Sequence, residues 1–185
     1  MCSASKWVYA FSEGNGSDKM LLGGKGANLC EMTRIGLPVP PGFVVTTEAC
    51  LAYLKESRLP PGLMEEVRAQ LSRVEEAIGR RFGAAENPLL VSVRSGSAMS
   101  MPGMMDTILN LGLNARSLAG LISATGNPRF GWDAYRRMIQ LFGKVALGVP
   151  DSAFDEQFEA VKTRVGVKQD VMLGPDELRD IGERF

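Results

Sequence analysis

At 185 residues, with 45% hydrophobic and 23% charged side chains, the chain has the composition of a folded globular protein, not a disordered one. Its 21 basic and 21 acidic residues cancel, so bulk charge gives no pull toward nucleic acid or an anionic membrane, and any anion site must be built locally. The chain contains no histidine, which excludes a histidine base, a histidine-ligated metal and a phosphohistidine within these residues.

Trp7 to Phe11 is rich in strand formers and predicts a short strand, followed by a polar, Gly-rich loop from Glu13 to Lys19. Leu21 to Gly26 leads into a helix with Leu29, Met32 and Ile35 on one face, stopped by Gly36 and the prolines Pro38, Pro40 and Pro41. Phe43 to Thr47 predicts a second strand, with Thr47 expected to cap a helix over Glu48–Ser57. From Leu63, the residues Val67, Leu71, Val74, Ile78 and Phe82 recur at helical spacing. Leu89 to Val93 reads as a buried third strand and Thr107 to Leu113 as a fourth.

The rest reads as helical. Tyr135, Met138, Ile139, Phe142, Val145 and Ala146 form one apolar stripe, with Arg136, Arg137, Gln140 and Lys144 facing elsewhere. Phe154, Phe158, Val161 and Val165 form another, opened by Ser152 and Asp155 in a capping-box pattern. Pro175 takes the favoured first position of a last helix, with Leu178, Ile181 and Phe185 at core spacing. That helix ends without a Gly or Pro stop signal, which is read as a boundary inside a longer chain.

Cys2, Cys30 and Cys50 are odd in number and lack a Cys-x-x-Cys pair, which fits a reducing compartment; Cys30 and Cys50 read as small core residues. No apolar run approaches the roughly 20 residues that span a bilayer, and the first residues carry no signal-peptide core. The expectation is a cytoplasmic protein, with an organellar address in a full-length precursor left open.

Four stretches carry possible chemistry. Gly23-Gly24-Lys25-Gly26 lets backbone approach an anion closely at a helix start, with Lys25 as a point charge; otherwise it is a Gly-rich turn with a solvated lysine. It does not match the phosphate-loop pattern, because Ala27 and Asn28 follow Gly26. Arg94, at a strand end beside Ser95 and Gly96, can offer a planar fork to phosphate or simply pair at the surface. Met99, Met101, Met104 and Met105 flank Pro102-Gly103, where a turn excludes a helix face; they line a nucleotide or lid, or fill core gaps. Arg129, Arg136 and Arg137 reach a polyphosphate or acidic partner, or form a solvated helix face.

In order along the chain, Lys6 to Tyr9, Leu21 to Asn28, Gly42-Phe43 with Thr46 to Cys50, Leu89 to Gly96, Ser100 to Thr107, Gly112 to Asn114, Gly126 to Phe130 and Tyr135 to Arg137 resemble the start of the pyruvate phosphate dikinase family. The Ser-Met-Pro-Gly-Met-Met-Asp-Thr stretch is the specific part, and the likeness weakens after about Pro150. The resemblance implies an α+β fold. Residues 1–114 would form the N-terminal nucleotide-binding part of an ATP-grasp-like domain, a small mixed sheet with helices, and residues 115–185 a helical segment of the same domain. It implies ATP as ligand, with Mg2+ held by carboxylates outside this chain, no metal ligand and no catalytic residue within it. Lys25 and Arg94 would contact nucleotide phosphates, Ser100, Met101, Gly103 and Met104 would cover them, and Arg137 would lie near a docking domain. Its partners would be a swivelling phosphohistidine domain and a barrel domain that takes pyruvate, in a homodimeric enzyme, with no nucleic acid and no membrane. The chain alone is expected to be inactive.

Ser97-Ala98-Met99 departs from family members that carry a basic residue there, so no phosphate contact is assigned to those side chains. Competing readings are a related histidine-relay phosphotransferase of the phosphoenolpyruvate synthase or antibiotic phosphotransferase type, and a non-catalytic nucleotide-binding module. The Ser100 to Thr107 stretch favours the dikinase.

Overall fold

The computed structural model describes residues 6–96 and 107–185. They divide into two compact units, residues 6–79 with 95–96, and residues 80–94 with 107–185.

In the first unit, strand β1 (Val8–Ala10) pairs antiparallel with β2 (Phe43–Val45), placing Tyr9 opposite Val44. Alternation along the two strands sends neighbouring side chains to opposite faces. Val8 and Phe43 join Ala49 and Leu63, from helices α2 (Thr47–Glu56) and α3 (Leu63–Ile78), whereas Tyr9 and Val44 pack with Leu22, Ala27 and Cys30 of α1 (Lys19–Arg34). A two-stranded ladder thus holds helices on both faces, which gives it the burial it could not reach alone. Glu66 of α3 fastens β1, its carboxylate accepting the Trp7 and Val8 N–H groups at 2.9 Å each.

The cap of α2 lies one residue earlier than the sequence predicts. Buried Thr46 accepts the Ala49 N–H at 3.2 Å, while the Thr47 hydroxyl, already inside the helix, donates to the Met20 carbonyl. Thr46 wins because its extended backbone, φ −68° and ψ 155°, aims its side chain at the free first-turn donors.

In the second unit, β3 (Val91–Arg94) pairs antiparallel with β4 (Thr107–Leu111) through an irregularity between Val91 and Val93. Among the described residues, the strands therefore form two separate antiparallel ladders. The expectation of a buried third strand is corrected. Leu89 is buried, but it precedes β3 and bridges to Phe82, and Ser92, Val93 and Arg94 are exposed, Val93 by 46%. The end of β3 thus stands in solvent, without the cover on both faces that its apolar run suggests.

Helices α4 (Ala115–Thr125), α5 (Pro128–Leu147), α6 (Asp151–Val165) and α7 (Pro175–Arg184) complete this unit. Asn114 caps α4 by accepting the Arg116 and Ser117 N–H groups, and Asn127 caps α5 by accepting that of Phe130, with Pro128 first in the helix. The expected Ser152 box at α6 does not form: the helix begins at Asp151, after Pro150, with no side-chain cap. Pro175 opens α7 as expected, and Leu178 and Ile181 pack with Val161 and Leu173, bordered by Trp132, Phe158 and Phe185.

Candidate functional site

The Gly-rich stretch lies inside α1, and the sequence explains why the helix breaks there. Leu21 and Leu22 N–H groups donate to the Asp18 carbonyl, closing a first turn. Gly23 then adopts φ 68° and ψ 162°, a backbone region that side chains with a Cβ essentially never enter. The helix restarts beyond it, so the N–H groups of Gly24, Lys25 and Gly26 fall in a new first turn, where no carbonyl of the same helix precedes them. The positive end of the helix dipole lies at the same place. Gly26 anchors the turn by close approach: a Cβ there would lie 2.8 and 2.9 Å from the two methyl groups of Val44 on β2. Lys25 is exposed and makes no hydrogen bond or ion pair among the described residues. A fixed set of backbone donors beside an unspent ammonium is suited to an oxyanion.

Arg94 is the last residue of β3, exposed and opposite Thr107. Ser100, Met101, Gly103 and Met104, with the rest of residues 97–106, lie outside the described residues.

The three arginines expected on a solvated face behave in three different ways. Arg129 is taken up structurally, its Nε donating to the Leu173 carbonyl at 2.9 Å and an η nitrogen to that of Asp170 at 3.2 Å. Arg136 corrects the reading of α5, for it is only 6% exposed. It lies 4.7 Å over the Phe158 ring, pairs with Asp133 and donates to Gln140 at 3.4 Å. Arg137, one residue on, is exposed and donates from Nε to the other oxygen of Asp133 at 2.9 Å. Sequence reading missed Asp133; the signal was its i, i+3 and i+4 spacing to the two arginines, which places all three on one helix face.

The cysteines also differ from one another. Cys30 is buried, and burial raises its thiol above the usual range, so it stays protonated; Cys50 is exposed, not the core residue expected. Among the described residues, no group of three or more His, Cys, Asp or Glu side chains is placed to hold a metal ion. Nor is any described helix long and apolar enough to cross a membrane.

The Lys25 turn falls inside the stretch that comparison with known families picks out. Residues 19–63 match the family described as pyruvate phosphate dikinase, AMP/ATP-binding domain. Relatives extend the match across the chain. A pyruvate, phosphate dikinase of Entamoeba histolytica is 54% identical over 179 residues, covering 96% of this chain and 20% of the relative. This chain is homologous to the pyruvate, phosphate dikinases. The Clostridium symbiosum dikinase is 50% identical over 182 residues, covering 98% of this chain and 21% of its own, and the chloroplastic dikinase of Flaveria trinervia is 48% identical over 188 residues, covering 99% and 20%. The chain thus spans about one fifth of the length of the dikinases it matches, and corresponds to their N-terminal part.

Proposed function

We propose that this chain is the ATP-binding portion of a pyruvate, phosphate dikinase that converts ATP, pyruvate and phosphate into AMP, phosphoenolpyruvate and pyrophosphate. The observation that carries this reading is the broken helix at Gly23, which sets first-turn N–H groups beside Lys25, an exposed lysine with no partner among the described residues, within the stretch matched to an AMP/ATP-binding domain. In this reading the domain is ATP-grasp-like, with residues 1–114 its α/β part and residues 115–185 its helical segment.

Lys25 neutralises nucleotide phosphate charge, aided by the helix dipole, and Arg94 offers two parallel donors to phosphate oxygens. Ser100, Met101, Gly103 and Met104 cover the nucleotide, and Arg137 offers its fork to an oxyanion of the same half-reaction, near the docking place of the swivelling domain. Mg2+, held by acidic residues outside this chain, supplies charge neutralisation on the transferring group. The phosphorylated histidine and the pyruvate-binding barrel belong to other parts of the full protein, a cytoplasmic or organellar homodimer, because residues 1–185 contain no histidine.

The test separates the two half-reactions in the full-length protein. Lys25→Ala slows phosphoryl transfer from ATP and spares exchange between phosphoenolpyruvate and pyruvate; equal loss of both means a folding defect and overturns the assignment. Calorimetry with magnesium-ATP on residues 1–185 alone gives binding no tighter than about millimolar, since Lys25 and Arg94 are exposed and exposed ion pairs contribute about 1 kcal/mol or less each. Micromolar binding would show that this part holds a complete site.

A further inference from the structure

The arrangement of charges on α5 goes one step beyond the contact assigned to Arg137. Asp133 spends both carboxylate oxygens on arginines of its own helix, one on buried Arg136 and the other on the Nε of exposed Arg137. Arg136 has little freedom to release its partner. Its side chain is 8% exposed and stacked over Phe158, and its Nε has no hydrogen-bond partner among the described residues, so its charge depends on Asp133. Asp133 is therefore shared between a buried cation, whose charge it offsets, and an exposed one, whose Nε it holds.

The part of Arg137 that is held matters chemically. A guanidinium has two edges that can meet an oxyanion through parallel hydrogen bonds, one containing Nε and one formed by the two terminal nitrogens. Asp133 takes Nε, and the η nitrogens of Arg137 have no partner among the described residues. With one carboxylate set against two guanidinium groups, the cluster carries a net charge of about +1, and its exposed share lies on Arg137.

We propose that Asp133 is a positioning residue. It fixes the Arg137 guanidinium through Nε with its terminal edge outward, ready to receive a phosphoryl oxyanion in the nucleotide half-reaction. This rests on the reading of Arg137 as an oxyanion contact. Asp133 itself touches no substrate and acts through Arg137 alone.

The experiment uses the full-length protein and reads transfer from ATP separately from exchange between phosphoenolpyruvate and pyruvate. Asp133→Asn by itself leaves a buried cation unneutralised, so the comparison is made in an Arg136→Met background, where that burden is absent. There, Asp133→Asn is expected to slow the nucleotide half-reaction by about tenfold, the size of one charge-assisted hydrogen bond. The exchange reaction stays unchanged. Adding Arg137→Ala to both members of the pair should abolish the difference between them, because a positioning residue has nothing left to position. If Asp133→Asn has the same effect with and without Arg137, Asp133 acts elsewhere and the proposal is overturned while the Arg137 contact stands. A silent Asp133→Asn overturns it in the same way. If Arg137→Ala alone leaves the nucleotide half-reaction untouched, the Arg137 contact and the positioning role both fall.

Discussion

The two units hold their candidate ligand cations differently. In the first, the helix break at Gly23 leaves Lys25 in solvent with no partner among the described residues, although the unit has carboxylates enough to engage Lys6, Arg34 and Arg73 in ion pairs. In the second, Arg129 is tied to backbone carbonyls, Arg136 is buried on an aromatic ring, and Arg137 is held by one edge. A cation used for architecture is saturated with acceptors. One available to a ligand keeps donors unspent, and residue type alone does not distinguish them. A ligand-binding charge should be silent in unfolding experiments and visible in kinetics, and a structural charge the reverse.

The largest effect expected from that contrast is structural. Asp133→Ala leaves the buried Arg136 guanidinium without its counter-ion and should lower unfolding stability by about 3–5 kcal/mol, whereas Arg136→Met should be near neutral. Urea unfolding followed by circular dichroism separates the two; equal losses would mean that Arg136 is not an uncompensated charge once Asp133 is gone. Lys25→Ala belongs at the opposite pole. It should leave the unfolding curve in place and slow transfer from ATP in the full-length protein by something on the order of a hundredfold, the scale of removing one preorganised electrostatic contact. A shifted unfolding midpoint for that variant would erase the contrast.

Arg94→Lys comes next. Keeping charge while losing the planar fork should weaken the nucleotide half-reaction by about 1–3 kcal/mol if a charged hydrogen bond is lost, and unchanged kinetics would assign Arg94 to structure. The α2 cap offers a smaller, purely structural control: Thr46→Ala should cost about 1 kcal/mol in unfolding, with Thr47→Ala costing less because its hydroxyl caps nothing.

The smallest effect is a pH dependence at Glu13. The Ala10 N–H, followed by Lys6 and Arg73, holds its carboxyl below the ordinary carboxylate value. A carboxylate depressed in the folded state contributes stability that is present above its unfolded pKa and lost as pH falls through its lower folded value. Unfolding stability measured from pH 7 down to about pH 3 should therefore decline less steeply in Glu13→Gln than in the parent. Identical slopes would show that solvent screens the cluster completely.

Much of the local structure was legible from chain order. The helix from Leu63, the proline that opens α7 and the Leu178 and Ile181 face of α7 lie where periodicity and helix-start signals put them, whereas the expected α3 stripe ends early: Ile78 is exposed and Phe82 falls beyond the helix. The fold class and the kinship with the dikinases were likewise carried by ordered motifs, of which the Gly23 to Gly26 run lies within the matched family domain. Less legible was anything that depends on what an element packs against. The stretch around β3 looks buried from its apolar run, but Ser92, Val93 and Arg94 stand in solvent. Cys50 sits on a helix at a position that the fold leaves outside the core.

The sequence by itself determined that the chain can turn at Gly23, because only glycine tolerates the backbone there, whereas the choice between Thr46 and Thr47 as the α2 cap was settled by the fold. Which charges those turns and helices bury was decided by tertiary structure alone. Arg136 and Arg137 are adjacent and chemically identical, and nothing within their own stretch ranks one as core and the other as surface. The distinction arises when α6 brings Phe158 against one face of α5. Helical geometry turns consecutive residues about 100° apart, so the ring covers Arg136 and leaves Arg137 in water, with Asp133 shared between them.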